Sequence, residues 1–279
     1  MNSLYVSDLD GTLFNKKKRI SDWSADIINR CIEKGMLFSV ATARMPYGCD
    51  YRLKNLDMNV PGIVTNGVFL YDFQAEEIIS AEAVSISAAQ KVIGAFKDCG
   101  MSCFLYMYDS RGISIYYDEK KMEEQTQYYS DRALQRCAEV SFVEDVDEIV
   151  SKGNPVYLTC TGTEEALEPV FRKLEGIEGI KYSFYLNIYN GMYCMEVFSG
   201  HASKKNALKK LAKITGSEEL VVFGDNFNDL SMIEIADRSY APMNALSEIK
   251  KVVDRVLPDC DHDGVAVLLA EEWGIDSGL

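Results

Sequence analysis

The sequence predicts an α/β protein: a doubly wound, Rossmann-like parallel sheet that carries an inserted α+β domain. Short apolar strands alternate with amphipathic helices in the first part of the chain, this pattern changes near residue 83, and the alternation returns after Gly200. Strands separated by helices pair in parallel through right-handed crossovers. The change and the return therefore indicate a first domain formed by residues 1–82 and 199–279, interrupted by a second domain over residues 83–198.

The first elements of the chain are strands and a helix in alternation. Leu4–Ser7 is a short apolar strand. In the helix predicted over Asp22–Lys34 the apolar side chains recur on one face, and Ser21 is its N-cap. Leu37–Val40 and Ile63–Val64 are two further buried strands. This order is typical of the start of a parallel sheet.

The middle of the chain has a different order, with pairs of strands following each helix. We predict a helix from Ser87, aromatic strands near 102–108 and 113–117, a helix with apolar spacing over Leu167–Leu174, and strands near 181–188 and 192–198. Asn190-Gly191 between the last two strands is a strong hairpin signal. Helices combined with hairpins indicate an α+β domain.

After Gly200 single helices and strands alternate again. The predicted order is a helix from Ser203, a strand over Leu220–Phe223, a helix from Asp229 and a short strand at Ser239-Tyr240. The apolar run Val265–Leu269 predicts the buried face of a last helix, and Asp263 is its predicted N-cap.

The segment before that helix has the spacing of a calcium loop. Asp259, Asp261, Asp263 and Gly264 match positions 1, 3, 5 and 6 of an EF-hand. Position 12, which requires a bidentate Glu, falls on Ala270. We therefore expect no calcium site here.

The composition argues against several classes of function. The 279 residues include 43 acidic and 29 basic ones, and the net charge of −14 disfavours general nucleic-acid binding. No apolar run approaches the ~18 residues of a membrane span, so we expect a soluble, cytoplasmic protein without a membrane partner. The eight cysteines form no C-x-x-C pair and there are two histidines, which disfavours a zinc site or a disulfide framework. The one charge run, Lys16–Arg19, is predicted to be a solvated loop.

Polar motifs follow three of the predicted parallel strands: Asp8-Leu9-Asp10-Gly11-Thr12, Thr42-Ala43-Arg44 and Gly224-Asp225-Asn226-Phe227-Asn228-Asp229. Because parallel strands end at one edge of a sheet, where open α/β sheets bind ligands, we expect these motifs to converge. Clustered carboxylates repel one another unless a cation lies among them. A few carboxylates beside a substrate phosphate favour Mg²⁺ over Ca²⁺.

These motifs, with a lysine that opens a late helix, resemble those of the haloacid dehalogenase (HAD) superfamily, and the likeness extends over the whole chain. The insert between the second and third motifs resembles that of the Cof-type sugar-phosphatase branch. The resemblance implies an aspartyl-phosphate-forming, Mg²⁺-dependent phosphatase of small phosphorylated metabolites such as sugar phosphates, with the insert as a cap domain.

The resemblance also implies which residues react. Asp8 would be the nucleophile, and Asp10 would be the general acid and then the general base. The Mg²⁺ ligands would be Asp8, Asp225 and Asp10, the last through its backbone carbonyl. The phosphoryl oxygens would be bound by the backbone N–H groups of Leu9 and Ala43 and the side chains of Thr42, Lys204 and Asn228. Asp229 would hold Lys204 or metal-bound waters, and Arg44 and Asn66 are candidate substrate contacts.

Several readings remain open from the sequence. Lys205 stands where the family usually has glycine, so either Lys204 or Lys205 can face the phosphate. Arg44 can equally form a surface ion pair, and Asn66-Gly67 can be a plain turn. The alternatives to a phosphatase are a phosphosugar mutase of the same superfamily and a non-catalytic regulatory protein that binds a phosphorylated metabolite.

Overall fold

A computed structural model of the chain describes residues 2–122, 138–187 and 191–276. The chain forms two compact units, one of Met1–Ser80 with Ser203–Leu279 and one of Ala81–Ala202. Asn190 of the predicted hairpin lies outside the described residues, whereas Gly191 has a left-handed φ of +70°. Across the described ranges, none of the helices has the length and apolar character needed to cross a membrane.

The predicted parallel sheet is confirmed in the first unit. Its strands are β1 Ser3–Ser7, β2 Leu37–Val40, β12 Glu219–Phe223, β13 Arg238–Pro242 and β14 Arg255–Leu257. They lie in the order β14-β13-β12-β1-β2, and all pair in parallel with their neighbours. In the central register Val6 lies opposite Val222 on one side and Ser39 on the other. Strand β14 was not predicted, because three residues are too short for a periodicity signal.

Helices pack beside this sheet, and the bounds in this unit are α1 Asp22–Glu33, α2 Pro46–Cys49, α6 Lys204–Thr215, α7 Phe227–Ile233, α8 Ser247–Lys250 and α9 Gly264–Trp273. Helix α1 packs against α9, and α6 packs against α7. The predicted N-cap is confirmed, since the Ser21 side chain accepts a hydrogen bond from the Ser24 N–H.

One predicted helix start and one predicted capping contact need correction. Helix α7 begins at Phe227 rather than at Asp229, because Asn226 is its N-cap and Asp229 completes a capping box at the third position. Asp263 precedes α9 but makes no capping hydrogen bond with its side chain. That carboxylate accepts hydrogen bonds from the hydroxyls of Ser21 and Ser24, both at 2.7 Å, and so joins the starts of α1 and α9.

The third predicted strand leaves the main sheet after one contact. Strand β3, Gly62–Val64, meets the parallel sheet through a single bridge between Ile63 and Ala41. It then pairs antiparallel with β4, Phe69–Asp72, in a separate three-stranded sheet that ends with β5, Glu77–Ala81. The turn between β3 and β4 therefore lies next to the ends of the parallel strands.

The second unit is a mixed sheet covered on one face by helices. The strand order is β10-β11-β9-β6-β7-β8, with bounds β6 Phe104–Asp109, β7 Gly112–Tyr117, β8 Ala138–Phe142, β9 Asn154–Gly162, β10 Ile180–Asn187 and β11 Met192–Ser199. Its helices are α3 Ile86–Asp98, α4 Val146–Val150 and α5 Glu164–Leu174. The central strand β9 was not predicted, because it is buried on both faces and shows no alternation.

Candidate active site

The three polar motifs follow adjacent strands of the parallel sheet. Asp8 comes directly after β1, Thr42 lies two residues after β2, and Asp225 lies two residues after β12. Strands β12, β1 and β2 are neighbours and run in the same direction. The motifs therefore end at one edge of the sheet, as the strand pattern predicts.

A lysine joins two of the aspartates by buried ion pairs. The Nζ of Lys204 lies 2.6 Å from Oδ1 of Asp8 and 2.5 Å from Oδ1 of Asp229. All three side chains are buried. Lys204 is the first residue of α6, whose N-cap Ser203 fixes where the helix begins. Lys205, one residue later, points to Glu234 at 3.5 Å, so Lys204 is the lysine that lies at the candidate nucleophile.

Asp229 uses both carboxylate oxygens on the protein itself. Its Oδ1 accepts from Lys204, and its Oδ2 accepts from the backbone N–H groups of Asp225 at 2.9 Å and Asn226 at 3.1 Å. The side chain thereby holds both the lysine and the loop that carries Asp225. This is the holding role that the family resemblance implies for Asp229.

Asp225 lies against the first motif. Its Oδ1 accepts a hydrogen bond from the Thr12 hydroxyl at 3.0 Å. Gly11 has a φ of +90°, and a Cβ at this position would lie 2.6 Å from Oδ2 of Asp225. Only glycine permits both the left-handed backbone and this close approach. Burial and the charge of Asp229 raise the pKa of Asp225 to about 6.

The surroundings of Asp8, the candidate nucleophile, disfavour its ionised form when no further cation is present. Burial raises the pKa of Asp8 well above its usual value, and the charge of Lys204 lowers it without offsetting the burial. The charges of Asp229 and Asp225 raise the Asp8 pKa further. Two buried carboxylates thus share one ammonium, and an additional positive charge would stabilise the ionised form of Asp8.

The donor set fits Mg²⁺. Oxygen atoms of Asp8, Asp225 and Asp229 all lie within 4.8 Å of one another. Among the described residues, Oδ2 of Asp8 and Oδ2 of Asp225 accept no hydrogen bond, which leaves one carboxylate oxygen on each for a hard cation. Asp10 is not part of this carboxylate group, so its predicted contribution is restricted to its backbone carbonyl.

Two cations hold the side chain of Asp10. Arg44 binds it through two contacts, Nε to Oδ2 at 2.6 Å and Nη2 to Oδ1 at 2.8 Å, and Lys18 Nζ lies 3.1 Å from Oδ1. Burial raises the pKa of Asp10, but Arg44 and Lys18 outweigh it and the pKa is lowered overall. Arg44, a candidate substrate contact, is therefore engaged with Asp10. Lys18 belongs to the charge run predicted to be a solvated loop, and its side chain is 42% exposed while it pairs with Asp10.

Apart from Lys204 on α6, the predicted phosphoryl ligands lie on the loops after β1 and β2 and on α7. Within the part of the chain that the structure describes, the N–H groups of Leu9 and Ala43 have no hydrogen-bond acceptor. The buried Thr42 hydroxyl accepts from the Arg44 N–H at 3.1 Å. The Asn228 amide donates to Oδ1 of Asn66 at 3.4 Å, which brings together two residues that are 162 positions apart.

The structure adds residues that the sequence analysis did not single out. Two of them lie in segments that the sequence analysis had noted, Thr12 in the first motif and Lys18 in the basic run. No sequence pattern pointed to Asn244. Its amide donates to the Gly11 carbonyl at 2.7 Å, and its side-chain oxygen accepts from the Cys260 N–H at 2.9 Å. In the segment with EF-hand spacing the carboxylates have separate partners, with Asp259 on His262 and Asp261 on Lys16.

Comparison with known proteins shows the family to which the chain belongs. A family model for haloacid dehalogenase-like hydrolases matches residues 5–269. A 5-amino-6-(5-phospho-D-ribitylamino)uracil phosphatase of Bacillus subtilis is 26% identical over 280 residues, covering 94% of this chain and 95% of the relative. A pyridoxal phosphate phosphatase of Escherichia coli is 25% identical over 267 residues, covering 93% and 94%.

Solved structures agree on the fold. A crystal structure of a Thermotoga maritima protein matches with a TM-score of 0.75 at 24% identity and covers 97% of both chains. The family model confirms the predicted family over nearly the whole chain. This chain belongs to the haloacid dehalogenase-like hydrolases and is an enzyme of their phosphatase type.

Proposed function

We propose that the enzyme is a Mg²⁺-dependent phosphatase that hydrolyses small phosphorylated metabolites, sugar phosphates or similar monoesters, through an aspartyl-phosphate intermediate. The observation that carries the proposal is the group formed by Asp8, Lys204, Asp225 and Asp229 at the end of β1 and β12. The names of the two bacterial relatives support the substrate class, since each contains a small phosphorylated metabolite.

In the proposed first half-reaction a carboxylate oxygen of Asp8 attacks phosphorus and the bond from phosphorus to the leaving oxygen breaks. Asp10 gives its proton to that oxygen, which departs as an alcohol. In the second half-reaction Asp10 takes a proton from water, the water oxygen attacks phosphorus, and the bond to Asp8 breaks. Inorganic phosphate leaves and Asp8 is restored.

The remaining residues bind the group in transfer. The Lys204 ammonium, the Asn228 amide, the Thr42 hydroxyl and the N–H groups of Leu9 and Ala43 supply the donors for the three non-bridging oxygens. When bound, Mg²⁺ would be held by Asp8, Asp225 and the Asp10 carbonyl and would neutralise charge on the phosphoryl group. Arg44 and Lys18 favour the carboxylate form of Asp10, which the second half-reaction uses, whereas the first half-reaction requires the protonated form that these two cations disfavour.

The inserted unit, by this proposal residues 83–198, sets the choice of substrate. No proposed reacting group lies in it, so its contribution is contact with the leaving group. The substrate is proposed as a class.

A phosphate-release screen tests the proposal. The panel contains sugar phosphates, nucleotides and phosphorylated vitamins, each assayed with Mg²⁺, with Ca²⁺ and with EDTA. We expect release from a subset of small monoesters with Mg²⁺ only, because the longer bonds of Ca²⁺ misplace nucleophile and phosphate. Equal turnover in EDTA would contradict the metal requirement. Transfer of phosphate to another hydroxyl of the same sugar would indicate a mutase, and binding without turnover would indicate a regulatory protein.

A further inference from the structure

Three consecutive residues between β3 and β4 have left-handed backbone conformations. The φ angles are +51° at Thr65, +52° at Asn66 and +92° at Gly67. Asparagine and glycine enter this region more readily than other residues, whereas a β-branched threonine rarely does. A strained turn of this kind persists only where the surrounding structure holds it, and such turns concentrate at functional sites.

Backbone hydrogen bonds hold the turn against the loop that follows β2. The Thr65 N–H donates to the Arg44 carbonyl and the Asn66 N–H donates to the Thr42 carbonyl, both at 2.9 Å. This is the loop that carries two of the proposed phosphoryl ligands, Thr42 and the Ala43 N–H. The turn therefore fixes the backbone on both sides of Ala43.

The other side of the turn touches the start of α6. A Cβ on Gly67 would lie 2.3 Å from the carbonyl oxygen of Ser203 and 3.1 Å from its nitrogen. Ser203 caps the helix whose first residue is Lys204. The turn thus occupies the space between the loop after β2 and the residue that precedes the buried lysine.

The side chain of Asn66 projects from this turn to a third proposed ligand. Its Oδ1 accepts a hydrogen bond from Nδ2 of Asn228 at 3.4 Å. An amide that donates to a fixed acceptor has its rotation restricted, and its second N–H then points in a defined direction. In the described residues the amide nitrogen of Asn66 itself has no acceptor.

We propose that the turn Thr65–Gly67 is a positioning element of the phosphoryl site, in which Asn66 orients the Asn228 amide and Gly67 allows the turn to lie against Ser203. This inference rests on the proposed phosphatase function. Asn66 acts through Asn228, so it is a positioning residue and contributes little binding when Asn228 is absent.

A double-mutant cycle tests the link between the two amides. The variants are Asn66→Gly, which removes the amide while tolerating the left-handed backbone, Asn228→Ala, and both together. The probe is orthovanadate with Mg²⁺, read as the inhibition constant against an aryl phosphate and as the rise in melting temperature. We expect each single change to weaken vanadate binding by about tenfold, because Asn228→Ala removes the hydrogen bond to the charged anion and Asn66→Gly leaves that bond misdirected. The double variant should be no weaker than Asn228→Ala alone.

A pair of glycine substitutions tests the contact with Ser203. Gly67→Ala and the control Gly35→Ala start from similar φ angles, +92° and +98°, but nothing lies within 4 Å of a Cβ on Gly35. Both should lower the melting temperature of the anion-free protein through backbone strain. Only Gly67→Ala should also weaken vanadate, by about tenfold or more, which a general loss of stability would not do.

The outcomes separate this inference from the function on which it rests. Multiplicative effects in the cycle, or unchanged vanadate inhibition in Asn66→Gly, overturn the positioning role while leaving the phosphatase intact. Equal vanadate inhibition in Gly67→Ala and Gly35→Ala overturns the role of Gly67. If Gly67→Ala does not fold, the asparagine cycle decides alone. No phosphate release and no vanadate-induced shift in the unaltered protein overturn both proposals.

Discussion

Lys204 and Asp8, 196 positions apart in the chain, form an ion pair of 2.6 Å in which the two side chains are 1% and 7% exposed. The charge of the buried Lys204 ammonium is balanced by two carboxylates, because Asp229 also lies 2.5 Å from it. The pair joins the end of β1 to the start of α6. The ion pair therefore contributes both to the stability of the fold and to the geometry of the proposed active site.

The first prediction compares two adjacent lysines. Lys204→Met leaves the carboxylates of Asp8 and Asp229 buried without their cation, which typically costs about 3–5 kcal/mol of unfolding free energy. We also expect kcat/KM to fall by about a hundredfold or more, the usual loss when a donor to a transition-state oxygen is removed. The control Lys205→Met removes a partly exposed contact to Glu234 and should change stability by no more than ~0.5 kcal/mol.

Urea denaturation without metal and phosphate-release kinetics measure the two effects. Similar losses in both variants would mean that the contact with Asp8 is not what matters at this position. A stability loss in Lys204→Met with unchanged kcat/KM would assign the lysine to the fold alone.

The second prediction concerns pH and Asp225. Its pKa is about 6 in the folded, metal-free protein against an ordinary value of 3.8. Between these values the folded protein keeps a proton that the unfolded chain releases, so the contribution of this group to stability falls as pH rises from about 4 to about 6. Asp225→Asn should abolish that decline. Saturating Mg²⁺ should also remove it, because the metal competes with the proton for the carboxylate.

The measurement is the free energy of unfolding of both proteins across pH 4–7 in EDTA, taken as the difference between them. This difference cancels the contributions of the other acids, several of which have lowered pKa values and the opposite dependence on pH. Parallel profiles for the two proteins would contradict the prediction.

The third prediction separates the roles of the two aspartates in the first motif. Asp8→Asn should abolish turnover, because the attacking oxygen is lost. Asp10→Asn should reduce turnover by ~10²–10⁴, the usual worth of proton transfer, while some phosphoenzyme still forms and its hydrolysis stalls. Rapid-quench labelling with a radioactive phosphate ester measures the covalent species. Full activity in Asp8→Asn would exclude the covalent route.

The fourth prediction concerns the inserted unit. All proposed reacting groups lie in the unit of Met1–Ser80 and Ser203–Leu279. Replacing residues 83–198 by a short Gly/Ser linker should therefore leave slow hydrolysis of an activated aryl phosphate. Discrimination among natural esters should largely disappear, because contacts with the leaving group in the transition state are lost. The comparison is kcat/KM over a panel of esters before and after excision, with circular dichroism to verify folding. An unchanged ranking would place specificity in the remaining unit.

Most of the fold was predicted from the hydrophobic patterns of single helices and strands. The helix expected over Asp22–Lys34 runs over Asp22–Glu33, and the strand expected at Leu37–Val40 has those bounds. Both have strong periodicity or burial and a clear boundary residue. By contrast β14 and the two strands that follow β3 were not predicted, because three to five residues, partly exposed in the case of β5, carry too weak a pattern.

By itself the sequence determined the class of fold, the family and the identity of the acidic motifs, because strand ends and turn residues are read locally and parallel strands bring their ends together. Only the tertiary structure decided that Lys204 rather than Lys205 meets Asp8, that Arg44 and Lys18 hold Asp10, and that Asn66 reaches Asn228. Each of these depends on the direction of a side chain at a contact between segments distant in the chain. The rotation of a helix about its axis and the path of a strained turn set that direction, and neither follows from residue spacing within one segment.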